Sequence, residues 1–440
     1  MKLRDFVGKA RQRILHTLFG RNLYAADERV KELELSVAAL EQHWHYEVVA
    51  ARLKERMQRG LPLRVCFFIN YDSSFTSKPL FEKMLEDKSF APRIVVIPDV
   101  SRGRENMLKQ LQKAVQTFQN IYGVEKIRIG YDGEQDQFID ISGEFDLVCF
   151  TTPYDEMTHR YFQLDYLKNR EILPFFILYA TESASWIKHI AESPEVNFFW
   201  KIFVNYPATL ECYRQFQQIK GRNVAVVGNI RMDEWVKISS TPHQRKRIII
   251  APHHTIEKNW KGVFTLSNFL DYSGFFLELP SRYPEIDFIF RPHPLLFIAL
   301  KKVWGEQKTG EWLTKFLANP NTEYSEGGEF LELFANSDAI IHDCGSFILD
   351  YLYTGNACCF MTKSDEQTRQ NTNELGQECL EHYYRAYKKE DILNFIDQVV
   401  LTGKDPLKEG RIQFVETKLK LNYPHAADVA LREIKMLGGS

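Results

Sequence analysis

AIIHDCGSFILDYLYTG, residues 339–355, runs from an apolar stretch into a His-Asp pair, then a small-residue turn, then a helical pattern. Ala339 to Ile341 read as a buried strand, and FILDYLY reads as the helix that follows it. Junctions of this kind form the carboxyl edge of open α/β sheets, which is where such sheets bind ligands.

The same alternation extends in both directions. Downstream lies ACCFMT (357–362); upstream lie NTEYSE (321–326), IDFIFRPHP (286–294) and RIIIAPHH (247–254). A second series occupies the first half: RVCFFIN (64–70), RIVVIP (93–98), KIRIGY (126–131), LVCFTTP (147–153), PFFILYAT (174–181), KIFVN (201–205) and VAVVGN (224–229). Continuous apolar runs bounded by turn residues are what parallel strands covered on both faces require. Intervening stretches such as ENMLKQLQKAVQTFQNIYG have helical periodicity. The 440 residues therefore predict an α/β chain with two Rossmann-like domains facing each other across a cleft. Domain one is expected at 62–230 and domain two at 247–440, with C-terminal helices. The polar, proline-containing segment 231–246 is read as the linker.

Residues 1–61 differ from both series. Residues 1–21 carry six Lys/Arg against one Asp, with apolar residues at helical spacing, which suits either an anionic membrane surface or the protein's own body. Val30, Leu33, Val37, Leu40, Trp44 and Ala51 then step by threes and fours, with Glu47 interrupting. This is a short heptad pattern within 27–55, fit for a homo-oligomer contact or an intramolecular helical hairpin. The formal charge of −2 gives no footprint for nucleic acid, and no apolar run is long enough to cross a bilayer. Seven cysteines without CxxC spacing, and no secretory h-region, point to the cytoplasm, and the basic residues 1–21 add an expected peripheral place on the inner face of the membrane.

Three stretches place polar residues directly after an apolar strand: Pro252-His253-His254, Arg291-Pro292-His293 and His342-Asp343. Parallel strands end along one edge, so these clusters are expected to converge. Arg291 offers a planar fork of donors and His293 an imidazole, a pair suited to phosphate. Gly345 and Ser346 stand where backbone N–H groups at a helix start would face the cleft. Asp343 is expected to contact a hydroxyl or to orient His342.

The run SDAIIHDCGSFILDYLYTG, with RPHP and APHHTIEKN upstream, resembles the CDP-glycerol glycerophosphotransferase family of teichoic acid and capsule-type polymer synthesis, over roughly 247–362. In that family an Arg-x-His-Pro stretch and an Asp-x-(Ser/Gly)-Ser stretch bind the donor's phosphates. The resemblance implies a GT-B-type arrangement, with Arg291 and His293 in the first role and Asp343, Gly345 and Ser346 in the second; His254 and His342 are added as neighbours. It also implies transfer of glycerol phosphate from CDP-glycerol to a glycan or its lipid-linked precursor, with release of CMP. CDP-glycerol would then be a substrate, with no separate cofactor and no metal. The family's polymerases carry a His-Gly pair in the first domain, and this chain has FILYATESASW there instead. The general base is left among Glu182, Asp72, His253 and His254. The alternative is a GT-B glycosyltransferase that uses a nucleotide sugar. A third reading is a catalytically silent scaffold held through the heptad segment.

Overall fold

The computed structural model describes residues 2–256, 266–326 and 330–437, with side chains described from residue 27 onward, residue 28 excepted. The strands are β1 (Leu63–Ile69), β2 (Phe90–Val96), β3 (Ile127–Ile129), the hairpin β4 (Tyr131–Asp132) and β5 (Gln137–Phe138), β6 (Leu147–Phe150), β7 (Leu173–Ile177), β8 (Lys201–Val204) and β9 (Val224–Val226). The second half adds β10 (Lys246–Ala251), β11 (Ile286–Phe290), β12 (Thr322–Tyr324), β13 (Ala339–His342), β14 (Ala357–Met361) and β15 (Tyr384–Ala386). Seven strands form one sheet in the order β3-β2-β1-β6-β7-β8-β9, and six form another in the order β12-β11-β10-β13-β14-β15. Every pairing within these two sheets is parallel.

The continuous apolar runs are explained by what covers each face. In β1, Val65, Phe67 and Ile69 enter one core while Cys66 and Phe68 enter another. In β10, Ile248 and Ile250 face one layer and Ile249 and Ala251 the opposite one. Both faces are dry, so neither register position tolerates a polar residue. Strand order also fixes where a ligand can sit. The chain moves outward from β10 through β11 to β12, then returns to its other side with β13, so the order reverses between β10 and β13. In the first sheet it reverses between β1 and β6. Open α/β sheets bind their ligands at such switch points.

The N-terminal segment departs from its expected division. It is one helix, Lys2–Gln58, with no proline to break it, and it ends before Gly60 at φ +73°. Its last turns dock on the first domain through Tyr46, Val49, Ala50 and Leu53, and the Tyr46 hydroxyl donates to the Phe198 carbonyl at 2.7 Å. No helical hairpin covers the heptad positions: Val30, Leu33, Val37, Leu40 and Trp44 are all exposed. The side chains of 1–21, on which the membrane reading rests, lie outside the described residues. Among the described residues no helix is long and apolar enough to cross a membrane.

Two boundaries need correction. The segment read as a linker begins with a packed 3₁₀ helix, Ile230–Lys237, that buries Met232, Asp233 and Glu234. The expected second domain, 247–440, also does not keep its own end. Helix Ala426–Lys435 returns to the first domain and adds Ala426, Ala427, Ala430 and Ile434 to that core. Asp233 caps this helix, accepting from the backbone N–H groups of Ala426 at 3.1 Å and Ala427 at 2.7 Å. Lys201 holds its far end through Glu433 at 2.7 Å.

A second contact between the domains runs through the loop after β7. Ala184 and Thr372 form an antiparallel bridge, the Ser183 carbonyl accepts from Asn373 N–H at 3.0 Å, and Ser185 N–H donates to the Asn371 carbonyl at 3.1 Å. Backbone approach is tight enough to require glycine on the facing helix, since a Cβ on Gly376 would lie 2.3 Å from the Ser183 carbonyl oxygen. Glu182 anchors the loop from below. Its carboxylate accepts from Asn205 N–H at 2.8 Å and from the Thr209 hydroxyl at 2.5 Å, at the start of helix Pro207–Phe216.

Asp233→Ala strips the partners from two buried N–H groups and should cost about 1–3 kcal/mol of unfolding free energy in urea titrations. Burial pushes the Glu182 carboxyl up to about 7, against the hydrogen bonds from Thr209, Asn205 and Tyr206. A folded-state pKa above the unfolded value contributes stability at low pH that is lost as pH rises through about 7. The stability difference between wild type and Glu182→Gln should therefore move in the variant's favour between pH 5 and pH 7.5; a pH-independent difference would mean the group is ionised throughout.

Candidate functional site

At the carboxyl edge of the second sheet the pairings bring the expected strand ends side by side: Ile250 pairs with Phe290 and Ala251 with His342. The turns that follow carry His253 and His254, Arg291 and His293, and Gly345 and Ser346. The three imidazoles His253, His254 and His293 form one cluster, with ring centroids 4.1 to 5.0 Å apart. Arg291 is buried beside it and donates from Nη1 to the Ser325 hydroxyl at 2.8 Å.

The hydrogen bonds around the rings decide their chemistry. His293 Nδ1 accepts from Leu295 N–H at 3.2 Å, and His253 Nδ1 accepts from Thr255 N–H at 3.3 Å. The Thr255 hydroxyl, itself 2.9 Å from His253 Nδ1, accepts from Leu266 N–H at 3.0 Å. A neutral imidazole whose Nδ1 is an acceptor carries its proton on Nε2. Burial, with the neighbouring imidazoles and, for His293, the charge of Arg102, holds both pKa values well below the ordinary histidine range. His254 is lowered to about 4, by burial first and by Arg102 second, and its Nδ1 is buried with no partner among the described residues. The three rings lie close enough for a metal ion, each offering one nitrogen within 4.8 Å of the others. Two of them, however, are fixed as Nε2–H tautomers. A ligand nitrogen needs a bare lone pair, whereas an anion needs N–H donors, so the set fits an oxyanion better than a cation.

Two residues expected in the anion site lie beneath it. Asp343 is fully buried; its carboxylate accepts from His253 N–H at 2.7 Å and from Asn268 N–H at 2.5 Å, with Asn268 Nδ2 at 3.2 Å. It therefore neither orients His342 nor faces a ligand hydroxyl. Burial raises its carboxyl to about 7 despite these donors. His342 is also fully buried, packed edge-on against Phe360 and Tyr383, with Nδ1 donating to the Cys344 carbonyl at 3.0 Å. The helix at Ser346 is a single α turn, Phe347–Asp350, running into a 3₁₀ turn, and the Ser346 side chain makes no cap. At Gly345 a Cβ would meet, among the described residues, only Leu266 Cδ1, at 3.8 Å.

Three of the four base candidates are already engaged, and His254, whose Nδ1 has no partner among the described residues, is the fourth. Glu182 is the buried cap described above, and His253 Nδ1 is taken by Thr255. Asp72, in the turn after β1 at the first switch point, accepts from Ser73 N–H at 2.8 Å and pairs with Lys113 at 3.2 Å. The first domain's strongest contribution is one that sequence reading missed. Arg102, in the turn after β2, leans over the Tyr71 ring at 5.7 Å and sits 3.5 Å from Asp99. Its charge reaches His254 and His293 of the other domain and Tyr71 and Tyr179 of its own. VSRGREN resembles any polar turn in sequence; only the sheet order carries it to the cleft.

No protein-family model matches the chain, and no curated protein matches it in sequence. Its fold, in contrast, is shared with solved structures. The wall teichoic acid polymerase TagF in its H444N variant superposes with a TM-score of 0.56 at 12% identity, over 92% of this chain and 97% of that one. The MnaA–UDP complex of S. aureus gives 0.53 at 15% identity, over 85% and 96%. UDP-GlcNAc 2-epimerase from Neisseria meningitidis bound to UDP-GlcNAc gives 0.53 at 12% identity, over 85% and 99%. At these identities the likeness establishes the architecture expected from the sequence, two Rossmann-like domains of the GT-B type behind an N-terminal helix.

Proposed function

We propose that this chain is a transferase that holds the diphosphate of a nucleotide-linked donor in the interdomain cleft and delivers the donor's cargo to a hydroxyl acceptor, a glycan or a lipid-linked glycan of the cell envelope. The observation that carries the reading is the cluster of His253, His254 and His293 at the ends of neighbouring strands, with Arg291 in the same turn as His293 and the charge of Arg102 reaching His254 and His293 from the facing domain. Guanidinium groups and imidazole N–H groups supply charge and direction to phosphate oxygens, and burial strengthens both. As the donor splits, negative charge grows on the departing phosphate, where the same fixed donors stabilise it.

The donor we place first is a nucleotide sugar. The acceptor oxygen would attack the anomeric carbon, the bond from that carbon to the diphosphate oxygen would break, and a nucleoside diphosphate would leave. Support comes from neighbours of this fold whose structures hold UDP or UDP-GlcNAc. The second reading, CDP-glycerol, is favoured by the Arg291-Pro292-His293-Pro294 stretch and by the overlap with TagF along the chain. There the acceptor would attack the phosphorus next to glycerol and CMP would leave. The released nucleotide separates the two: a diphosphate for attack at carbon, a monophosphate for attack at phosphorus.

Calorimetric titration of the full chain with UDP, CDP, UDP-GlcNAc and CDP-glycerol should give binding for at least one. Arg291→Ala should weaken that ligand about 10- to 100-fold, the worth of a charge-assisted pair, while the circular dichroism spectrum stays unchanged. Unaltered affinity in Arg291→Ala would remove the anion assignment. Arg102→Ala should weaken the same ligand about tenfold, and more steeply at low salt than at high salt. A salt-independent loss would mean that Arg102 acts through Tyr71 and Asp99 packing rather than through its charge.

A further inference from the structure

Between residues 30 and 44 the helix Lys2–Gln58 keeps an apolar stripe in water. Val30, Leu33, Val37, Leu40 and Trp44 are 51, 64, 54, 49 and 75% exposed, and they alternate three and four apart. With Val30 at heptad position a, valines fill a and leucines fill d for two heptads before Trp44 takes the next a. β-branched residues at a with leucine at d select two strands in parallel. Of the residues that dock on the body, Tyr46, Val49 and Leu53 fall at c and f, away from the stripe, while Ala50 and His43, whose Nε2 lies 3.1 Å from the Asn197 carbonyl oxygen, fall at g. The a and d side chains from Val30 to Trp44 are themselves open to a second helix.

We propose that the occupant of this stripe is a second copy of the same chain, joined as a parallel, in-register coiled coil over residues 29–44. Charge selects the direction. Arg29 stands at g and Glu34 at the e position five residues later, so a parallel pair sets Arg29 of each copy against Glu34 of the other. An antiparallel pair would instead bring the e positions together, and Glu34 and Glu41 would confront carboxylates. Length would count against so short a seam in free peptides, because an isolated helix must first be nucleated. Here the docked turns around Tyr46 and Leu53 already hold the helix, so association adds burial without the cost of forming it. The inference is independent of the cleft chemistry.

Light scattering on the full chain should give twice 51.6 kDa, and Leu33→Lys/Leu40→Lys should give the single-chain mass with unchanged helical content. A monomeric wild type, including one that binds anionic vesicles through this face, would overturn the proposal, as would a dimer that survives the double substitution. Direction is read by cross-linking. Val30→Cys and Trp44→Cys should each form a disulfide with their own kind under mild oxidation, while the wild type with its seven native thiols forms none. Cross-linking only when the two variants are mixed would reveal an antiparallel pair and reject the arrangement proposed here.

Discussion

The site depends on one buried carboxylate. Asp343 lies at the end of a central strand with no solvent around it, and three N–H donors close on its oxygens. Two belong to the backbone of segments far away in sequence, the turn after β10 and the start of helix Phe269–Arg282. A carboxylate in such a place is costly unless its lone pairs are met, and here the chain bends to meet them. That bend holds His253 and His254 beside the Arg291 turn. The acidic residue at the centre of the proposed anion site thus organises the donors from behind.

This explains which parts of the site were legible in sequence. The alternation of apolar runs with helical stretches made the first sheet and all but the edge strand β15 of the second legible, because a parallel strand covered on both faces calls for a continuous apolar run. The convergence of His254, Arg291 and His293 followed from that, since parallel strands end on one edge. The roles of His342 and Asp343 did not follow. A polar residue after a strand looks the same whether it points up into the cleft or down into the core, and only packing against Phe360 and Asn268 decides. Strand β15 escaped notice because three residues, Tyr384 to Ala386, with an arginine in the middle, carry no apolar run. Arg102 escaped because nothing in its neighbours marks the turn; strand order alone brings it to the cleft.

The loop after β7 shows a sequence feature put to a different use. Glu182, between Thr181 and Ser183, reads as an acceptor-side base, yet its charge is spent on the first turn of helix Pro207–Phe216, and its neighbours hold the second domain. The backbone around Ser183 comes so near Gly376 that no larger residue fits. The architecture has converted the position of a reactive group into a seam between domains.

The returning helix Ala426–Lys435 has a mechanical consequence. Because the chain crosses from the first domain to the second after residue 237 and crosses back before residue 426, two covalent straps join the halves. A single strap would allow twisting in any direction, whereas two confine the halves to opening and shutting about the line between them, like the covers of a book along its spine. Arg102 and the imidazoles stand on facing pages.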